Sequence, residues 1–269
     1  MLALAERARE GEALPTVISA SAGNHGRALA WAASSIGLPV VIYTPRRAPE
    51  AKLAAIRRFG ADLRAEADDY EQAEALAKAH AARTGLPYLS PYSHPDLLSA
   101  IGVIALEIIE DLPGVAQVVV PVGGGGLIAG IAQVVGAVRP SARVVGVEVE
   151  ASHAFTASLA AGRIVEVQVE PTLADGLAGN MDPDNIAFPI VRRLVDQVVL
   201  ASEEQLVSAI RGLVDREHLV AEGAGAAAVA AVLAGTVRPA PGPAAVVVSG
   251  ANIDTSLLAS ILARAAKTG

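Results

Sequence analysis

The strongest constraint on the fold is a run of four glycines between two apolar segments. Residues 123–126 are all glycine; they follow the valine run 118–120 and precede the apolar stretch 128–132. This order predicts a strand, a glycine turn and a helix. Glycines allow consecutive backbone N–H groups to point at one anion, and the helix N-terminus adds partial positive charge. The turn therefore indicates either a phosphate site or a tight strand-to-helix connection, which also requires glycine.

Strand-like and helix-like segments alternate along the rest of the chain. Strand candidates lie at 17–19, 39–43, 117–122, 143–148, 198–200 and 245–248. Helix candidates lie at 26–35, 50–59, 69–83, 95–110, 220–234 and 255–266. Ser202, followed by Gln205, predicts the capped start of another helix. This alternation is typical of an α/β fold with a mostly parallel, doubly wound sheet.

Composition excludes several classes of protein. A chain of 269 residues with 52% hydrophobic residues buries a large core, which argues against disorder. A net charge of −7 argues against nucleic-acid binding. No apolar run is long enough for a membrane span, and the first residues lack the order of a signal peptide. Because the chain has no cysteine, it can form neither disulfides nor thiolate metal sites. We expect a cytoplasmic protein.

Three further motifs carry polar residues and glycine, and the first and the last of them follow apolar segments. They read Ser-Ala-Gly-Asn-His-Gly at 21–26, Ala-Asp-Gly at 174–176 and Ser-Gly-Ala-Asn at 249–252. With the glycine run, their order resembles the fold-type II pyridoxal-phosphate enzymes, in the serine/threonine dehydratase and serine racemase branch. The resemblance runs from about residue 13 to the C-terminus. It implies two doubly wound, mostly parallel sheets, with a small domain at 16–93, a large domain at 94–269 and residues 1–15 as a remnant.

The resemblance also implies which residues bind the cofactor and the substrate. The cofactor would be pyridoxal 5'-phosphate, held by Gly123, Gly124, Gly125, Gly126, Leu127, Asn24 and Ser249. The first five would bind the phosphate through backbone N–H groups, Asn24 would donate to the ring's 3-oxygen, and Ser249 would face the ring nitrogen. The substrate carboxylate would lie against Ser21, Ala22, Asn24 and His25. The alternative for Asn24 is a helix N-cap, and the alternative for Ser249 is a strand-end serine bonded to the backbone. We expect His25 to act mainly through its backbone.

Two positions bear on the reaction. A hydroxyl at Ser249 leaves the ring nitrogen largely neutral, which favours expulsion of a β-substituent. Ala22 has no proton to exchange, whereas a serine stands there in the racemases that the chain resembles. These residues favour β-elimination and deamination of L-threonine or L-serine to a 2-keto acid and ammonia. A serine racemase, a hydroxyaspartate dehydratase and a noncatalytic ligand-binding protein of the same fold remain the alternatives.

A metal site is a second point of comparison with the family. Glu148 and Ser152 fall where relatives bind a divalent cation, but the third position, an Asp in relatives, is Ala154. Because hard cations require several oxygen ligands, we expect no tightly bound metal. The alternative for Glu148 is a strand-end carboxylate paired on the surface. The segment 100–103, Ala-Ile-Gly-Val, also departs from the Gly-Gln-Gly-Thr common in relatives.

The chain lacks the residue at the centre of the family's chemistry. The Schiff-base lysine of relatives lies in a Ser-Phe-Lys-type segment slightly before the Asn24 loop, which here would precede Met1. The three lysines present, Lys52, Lys78 and Lys267, do not match that position. We expect an N-terminally truncated chain, or a natural pseudoenzyme, that binds the cofactor noncovalently at best and is nearly inactive. The resemblance further implies an amino-acid substrate and a homodimer.

Overall fold

The computed structural model describes residue 6 and residues 10–263. The chain divides into two compact units, Met1–Pro91 and Tyr92–Gly269. Each unit is built on its own parallel sheet. Within residues 6 and 10–263, no helix combines the length and the apolar character that crossing a bilayer requires.

The first unit contains a three-stranded sheet in the order β1-β2-β3. The strands are β1 (Val17–Ala20), β2 (Val40–Pro45) and β3 (Asp62–Ala67), and the helices are α1 (Asn24–Ser35), α2 (Glu50–Arg57) and α3 (Tyr70–Thr84). Adjacent residues of β1 face opposite sides, so Val17 packs in one core and Ile18 in the other. Helix α3 begins after Asp69, whose side chain accepts from the Gln72 N–H at 2.8 Å.

The second unit contains a four-stranded sheet in the order β6-β5-β4-β7, with parallel pairing throughout. Its strands are β4 (Gln117–Pro121), β5 (Arg143–Val149), β6 (Gln197–Ala201) and β7 (Ala244–Val246). Its helices are α4 (Pro95–Asp111), α5 (Gly126–Val138), α6 (Ala154–Ala161), α7 (Ala187–Leu194), α8 (Glu203–Glu217), α9 (Gly223–Leu233) and α10 (Thr255–Ala263). Both faces of β4 are buried: Val119 belongs to one core, and Val118 and Val120 belong to the other. This double burial explains why β4 is a continuous valine run.

The predicted α/β alternation is confirmed, and so are the two parallel sheets that the resemblance implied. Strand β3 and helices α6 and α7 were not predicted. Strand β3 lies at an edge of its sheet and carries Asp62, Arg64 and Glu66, so it has no apolar run. Helices α6 and α7 have 8 residues each, too few for a clear helical period.

Candidate functional site

The glycine turn joins the carboxyl end of β4 to the N-terminus of α5. Gly125 is the N-cap of α5 and has a φ of 85°, a left-handed conformation that glycine adopts without strain. The Gly125 carbonyl accepts from the Ala129 N–H at 2.9 Å, which begins the helical ladder. The first N–H groups of such a helix have no partner within it. No acidic residue occupies the first turn of α5, and no side chain of the N-cap covers it.

Two aromatic side chains pack directly against the glycine turn. A Cβ at Gly124 would lie 2.3 Å from Cγ of Tyr92, and one at Gly126 would lie 2.8 Å from the Tyr92 carbonyl oxygen. A Cβ at Gly125 would lie 2.3 Å from Cζ of Phe155, a fully buried ring. Close packing therefore requires glycine at these three positions independently of any ligand. Sequence reasoning identified the glycines but neither aromatic support.

Asn185 fixes the direction of one peptide group in the turn. Its side-chain amide donates to the Gly124 carbonyl oxygen at 3.0 Å, and its own oxygen accepts from the Ala187 N–H at 2.8 Å. The side chain is buried, so both bonds are shielded from water. Because the Gly124 carbonyl is held by Asn185, the turn has one acceptor fewer to repel an anion. Sequence analysis did not single out this residue.

The predicted motifs of the second unit lie together. A Cβ at Gly123 would lie 3.2 Å from the Gly176 carbonyl oxygen, which links the glycine turn to the 174–176 motif. A Cβ at Gly176 would lie 3.1 Å from Cβ of Ala224, at the start of α9. A Cβ at Gly225 would lie 2.3 Å from the Gly250 carbonyl oxygen, which brings in the 249–252 loop. These contacts connect three separate sequence motifs through the N-terminus of α9.

The α9 end of this cluster is also hydrogen-bonded. The Glu222 N–H, at the N-cap of α9, donates to the Gly250 carbonyl oxygen at 3.1 Å. Ser249 lies just before this bond, and its side chain is exposed in the loop after β7. Strands β4 and β7 are neighbours in the sheet, so the loops after them leave the same edge. This arrangement suits an anionic ligand at the α5 N-terminus, with Ser249 available nearby for a polar group of the same ligand.

The motif of the first unit, residues 21–26, follows β1 and begins α1. The Gly23 N–H donates to Oγ of Ser21 at 3.2 Å, and a Cβ at Gly26 would lie only 2.3 Å from the Ser21 carbonyl oxygen. Gly26 is therefore required by a close backbone approach. Ser21 is buried, Ala22 is half-buried, and Asn24 is exposed as the first residue of α1. The expected N-cap alternative for Asn24 is wrong, because Gly23 occupies that position.

His25 is held as a neutral imidazole. The hydroxyl of Ser19 donates to the Leu89 carbonyl at 2.7 Å, so it accepts from Nε2 of His25, which lies 3.2 Å away. This bond places the ring proton on Nε2. Burial lowers the pKa of His25 from 6.5 to about 4. His25 therefore stays uncharged at neutral pH, and its Nε2 is a donor to Ser19 rather than a base.

Glu148 does not lie on the surface, so that alternative reading is wrong. The side chain is 2% exposed at the end of β5, and its oxygens accept from the N–H groups of Phe155 and Thr156 at 2.7 Å each. Burial raises the pKa of Glu148, and these hydrogen bonds oppose the rise. The hydroxyl of Ser152 accepts from the Gly179 N–H at 3.1 Å. Within the described part of the chain, no three His, Asp or Glu side chains are placed to hold a metal ion.

Two of the three lysines lie in the described part of the first unit. Lys78, on α3, forms an ion pair with Glu74 at 3.5 Å and lies over the Tyr88 ring at 5.7 Å from its centroid. Lys52 is half-buried on α2. Lys267 falls outside the described residues. Neither Lys52 nor Lys78 belongs to the 21–26 motif of this unit.

Comparison with known proteins identifies relatives of known activity. A family model described as "Pyridoxal-phosphate dependent enzyme" matches residues 1–250. The L-threonine ammonia-lyase of Geobacter sulfurreducens is 40% identical over 248 residues, which are 92% of this chain and 61% of that relative's length. The processed threonine deaminase isoform 2 of Solanum lycopersicum is 29% identical with a TM-score of 0.86, over 97% of this chain and 78% of that one. Maize serine racemase is 30% identical with a TM-score of 0.84, over 93% of this chain and 76% of that one.

Proposed function

The chain belongs to the pyridoxal-phosphate dependent enzymes, as its motifs predicted, and on this premise we propose that its reaction is the dehydration and deamination of L-threonine or L-serine. In this reaction a proton leaves the α-carbon and hydroxide leaves the β-carbon, and hydrolysis of the resulting enamine yields a 2-keto acid and ammonia. The relatives named threonine ammonia-lyase and threonine deaminase support this substrate class. The chain spans 61% of the first of these relatives, so the activity of the whole protein is part of the proposal.

The observation that carries the proposal is the glycine turn at the N-terminus of α5. Four consecutive residues without side chains, 123–126, lead into a helix whose first turn contains no acidic residue. Asn185 donates to the Gly124 carbonyl oxygen at 3.0 Å, so this acceptor of the turn is already engaged. Backbone donors and the helix dipole together favour a doubly charged phosphate ester.

We assign the remaining binding roles by residue. The N–H groups of residues 123–127 bind the phosphate, the hydroxyl of Ser249 faces the ring nitrogen, and Asn24 donates to the ring's 3-oxygen. When bound, pyridoxal phosphate supplies an electron sink for the electrons released at the substrate α-carbon. The hydroxyl of Ser249 is a weak partner for the ring nitrogen and keeps no proton on it. Its exposure in the loop after β7 leaves it accessible for this contact.

The 21–25 loop binds the substrate carboxylate in this proposal. The hydroxyl of Ser21 accepts from the Gly23 N–H, so its own proton is available to donate to a carboxylate. Ala22 carries no exchangeable proton and therefore cannot serve the second face of the α-carbon. This absence favours dehydration over racemisation. His25 positions the loop through its bond to Ser19 and does not act as the base.

Neither lysine in the described part of the chain, Lys52 or Lys78, belongs to a motif proposed to bind the cofactor or the substrate. Lys78 forms an ion pair with Glu74 and lies over the Tyr88 ring. We therefore propose that this polypeptide binds the cofactor noncovalently and is nearly inactive by itself. We propose dehydration as the reaction that its binding residues suit.

Titration of the purified chain with pyridoxal phosphate tests this proposal. Binding is followed by absorbance, covalent attachment by mass spectrometry after borohydride reduction, and turnover by ammonia, 2-keto acid and D-serine release. We expect saturable binding, no lysine adduct and almost no turnover of L-threonine or L-serine. Absence of binding would refute the cofactor assignment. Rapid release of 2-keto acid would refute the predicted inactivity, and D-serine formation would favour the racemase alternative.

We also propose that the two units are the small and large domains of the family, and that the protein is a cytoplasmic homodimer. The apolar residues Val103 and Leu106 on the outward face of α4 support self-association, since they are 50% and 48% exposed. Light scattering coupled to gel filtration distinguishes the outcomes. A mass near twice 27.2 kDa is expected, and a mass near 27.2 kDa at all concentrations would contradict the dimer.

A further inference from the structure

The carboxylate of Glu148 caps a helix to which it does not belong. It lies at the end of β5, and its Oε1 and Oε2 accept from the Phe155 and Thr156 N–H groups at 2.7 Å each. The hydroxyl of Thr156 donates a third hydrogen bond to Oε2 at 2.6 Å. These two N–H groups belong to the first turn of α6, whose own N-cap residue, His153, makes no side-chain cap. A buried carboxylate is favourable here because it meets the positive end of the helix dipole.

The capped turn of α6 reaches the glycine turn through a single ring. The side chain of Phe155 is fully buried, and its Cζ would lie 2.3 Å from a Cβ added at Gly125. Gly125 is the left-handed N-cap of α5, so its conformation sets the direction of the first N–H groups of that helix. The same ring also contacts Phe188, with centroids 6.2 Å apart. Movement of the Phe155 backbone would therefore displace the support beneath Gly125.

We propose that Glu148 is a positioning residue for the phosphate turn, acting through Phe155 on Gly125. The carboxylate fixes the start of α6, α6 fixes the ring, and the ring fixes the N-cap of α5. The N–H groups of Phe155 and Thr156 and the hydroxyl of Thr156 supply the donors, so this support operates without a divalent cation. The inference rests on the proposed function, because it concerns how the chain's phosphate site is held.

Substitutions at Glu148 and Thr156 test this connection. Glu148→Gln removes the charge and one acceptor, and Thr156→Val removes only the hydroxyl donor. Thr156→Ser restores that donor, and Glu150→Gln is the matched control because Glu150 is exposed in the following turn. For each variant we would measure the dissociation constant for pyridoxal phosphate by calorimetry, with EDTA and with millimolar Mg²⁺. Hydrogen exchange would be compared between residues 122–128 and strand β5.

Loss of a buried hydrogen bond to a charged group predicts about tenfold weaker pyridoxal phosphate binding for Glu148→Gln. We expect a smaller loss for Thr156→Val, recovery in Thr156→Ser, and faster exchange at 122–128 without change in β5. EDTA should not alter binding by the unmodified chain. Unchanged affinity and exchange in Glu148→Gln would overturn the inference, as would loss of binding by the unmodified chain in EDTA.

These experiments distinguish a failure of the positioning role from a failure of the proposed function. If the unmodified chain fails to bind pyridoxal phosphate, the proposed function fails. If it binds and Glu148→Gln binds equally well, only the positioning role fails. Should Glu148→Gln not fold, Thr156→Val decides, because it keeps the carboxylate and both of its backbone bonds. Equal affinity and loop exchange in Thr156→Val and the unmodified chain would then overturn the positioning role.

Discussion

Substitution of Gly124 by alanine should damage the second unit through one identifiable clash. The added Cβ would lie 2.3 Å from Cγ, 2.7 Å from Cβ and 2.7 Å from Cδ1 of Tyr92. Nonbonded carbons normally approach no closer than about 3.5 Å, and three atoms of Tyr92 would lie inside this distance. Movement of one flexible atom therefore cannot relieve the clash. Tyr92 cannot swing away freely, because its hydroxyl donates to Asp182 at 2.8 Å. We expect Gly124→Ala to cost about 2 kcal/mol, within the usual range for an overpacked core.

A double-mutant cycle with Tyr92→Ala tests this cause. Tyr92→Ala removes the contacts with Cγ and Cδ1 but keeps a Cβ at 2.7 Å, so the cost of Gly124→Ala in that background should fall by about 1 kcal/mol. The free energy of unfolding would be measured for all four proteins by urea denaturation followed by circular dichroism. An equal cost in both backgrounds would show that the strain does not come from the Tyr92 ring. Pyridoxal phosphate affinity should fall in Gly124→Ala even under conditions where the chain remains folded.

Three further predictions concern other contacts of the site. Gly225→Ala should be destabilising by about 2 kcal/mol because its Cβ would lie 2.3 Å from the Gly250 carbonyl oxygen. In the helical control Gly136→Ala, the Cβ would make only an ordinary contact at 3.8 Å with Cδ2 of Leu194, so this variant should stabilise by about 0.5–1 kcal/mol in the same urea assay. His25 has a pKa of about 4 in the folded chain and near 6.5 in the unfolded chain, so the unfolded chain binds more protons between these values. The free energy of unfolding should therefore fall from pH 6.5 towards pH 4, by up to about 1.4 kcal/mol per pH unit. His25→Gln should remove this pH dependence. Asn185→Ala should weaken pyridoxal phosphate binding about tenfold in calorimetry, because the Gly124 carbonyl loses its partner; unchanged binding would contradict its role.

The sheets were predictable because burial on both faces leaves a clear mark in the sequence. Strand β4 carries valine at 118, 119 and 120, all of them buried, and the glycine turn follows directly. The start of α8 was predictable because its signal is local: Ser202 and Gln205 form a reciprocal capping box. Edge strand β3 was missed because its alternation of charged and apolar residues contains only one large apolar side chain, Leu63.

The supports of the glycine turn were not predictable because they come from distant parts of the chain. Asn185 is 61 residues beyond Gly124, and nothing in its neighbouring sequence marks it as a partner. The ring of Phe155 reaches Gly125 from a helix too short to be recognised by its period. Aromatic residues are only 3% of the chain, so each large ring is a candidate for a packing role. The sequence does not show that Tyr92 and Phe155 meet at one turn. The environment of Glu148 likewise depended on the position of α6, which the sequence did not predict.

The most direct test of the phosphate site is an amide NMR titration of the chain with pyridoxal phosphate, with pyridoxal as the matched ligand that lacks the phosphate. We expect the largest shifts caused by pyridoxal phosphate on the N–H groups of residues 123–127, and we expect pyridoxal at the same concentration to leave these groups unchanged. Equal shifts with both ligands, or shifts that spare residues 123–127, would contradict the claim that this turn binds the phosphate.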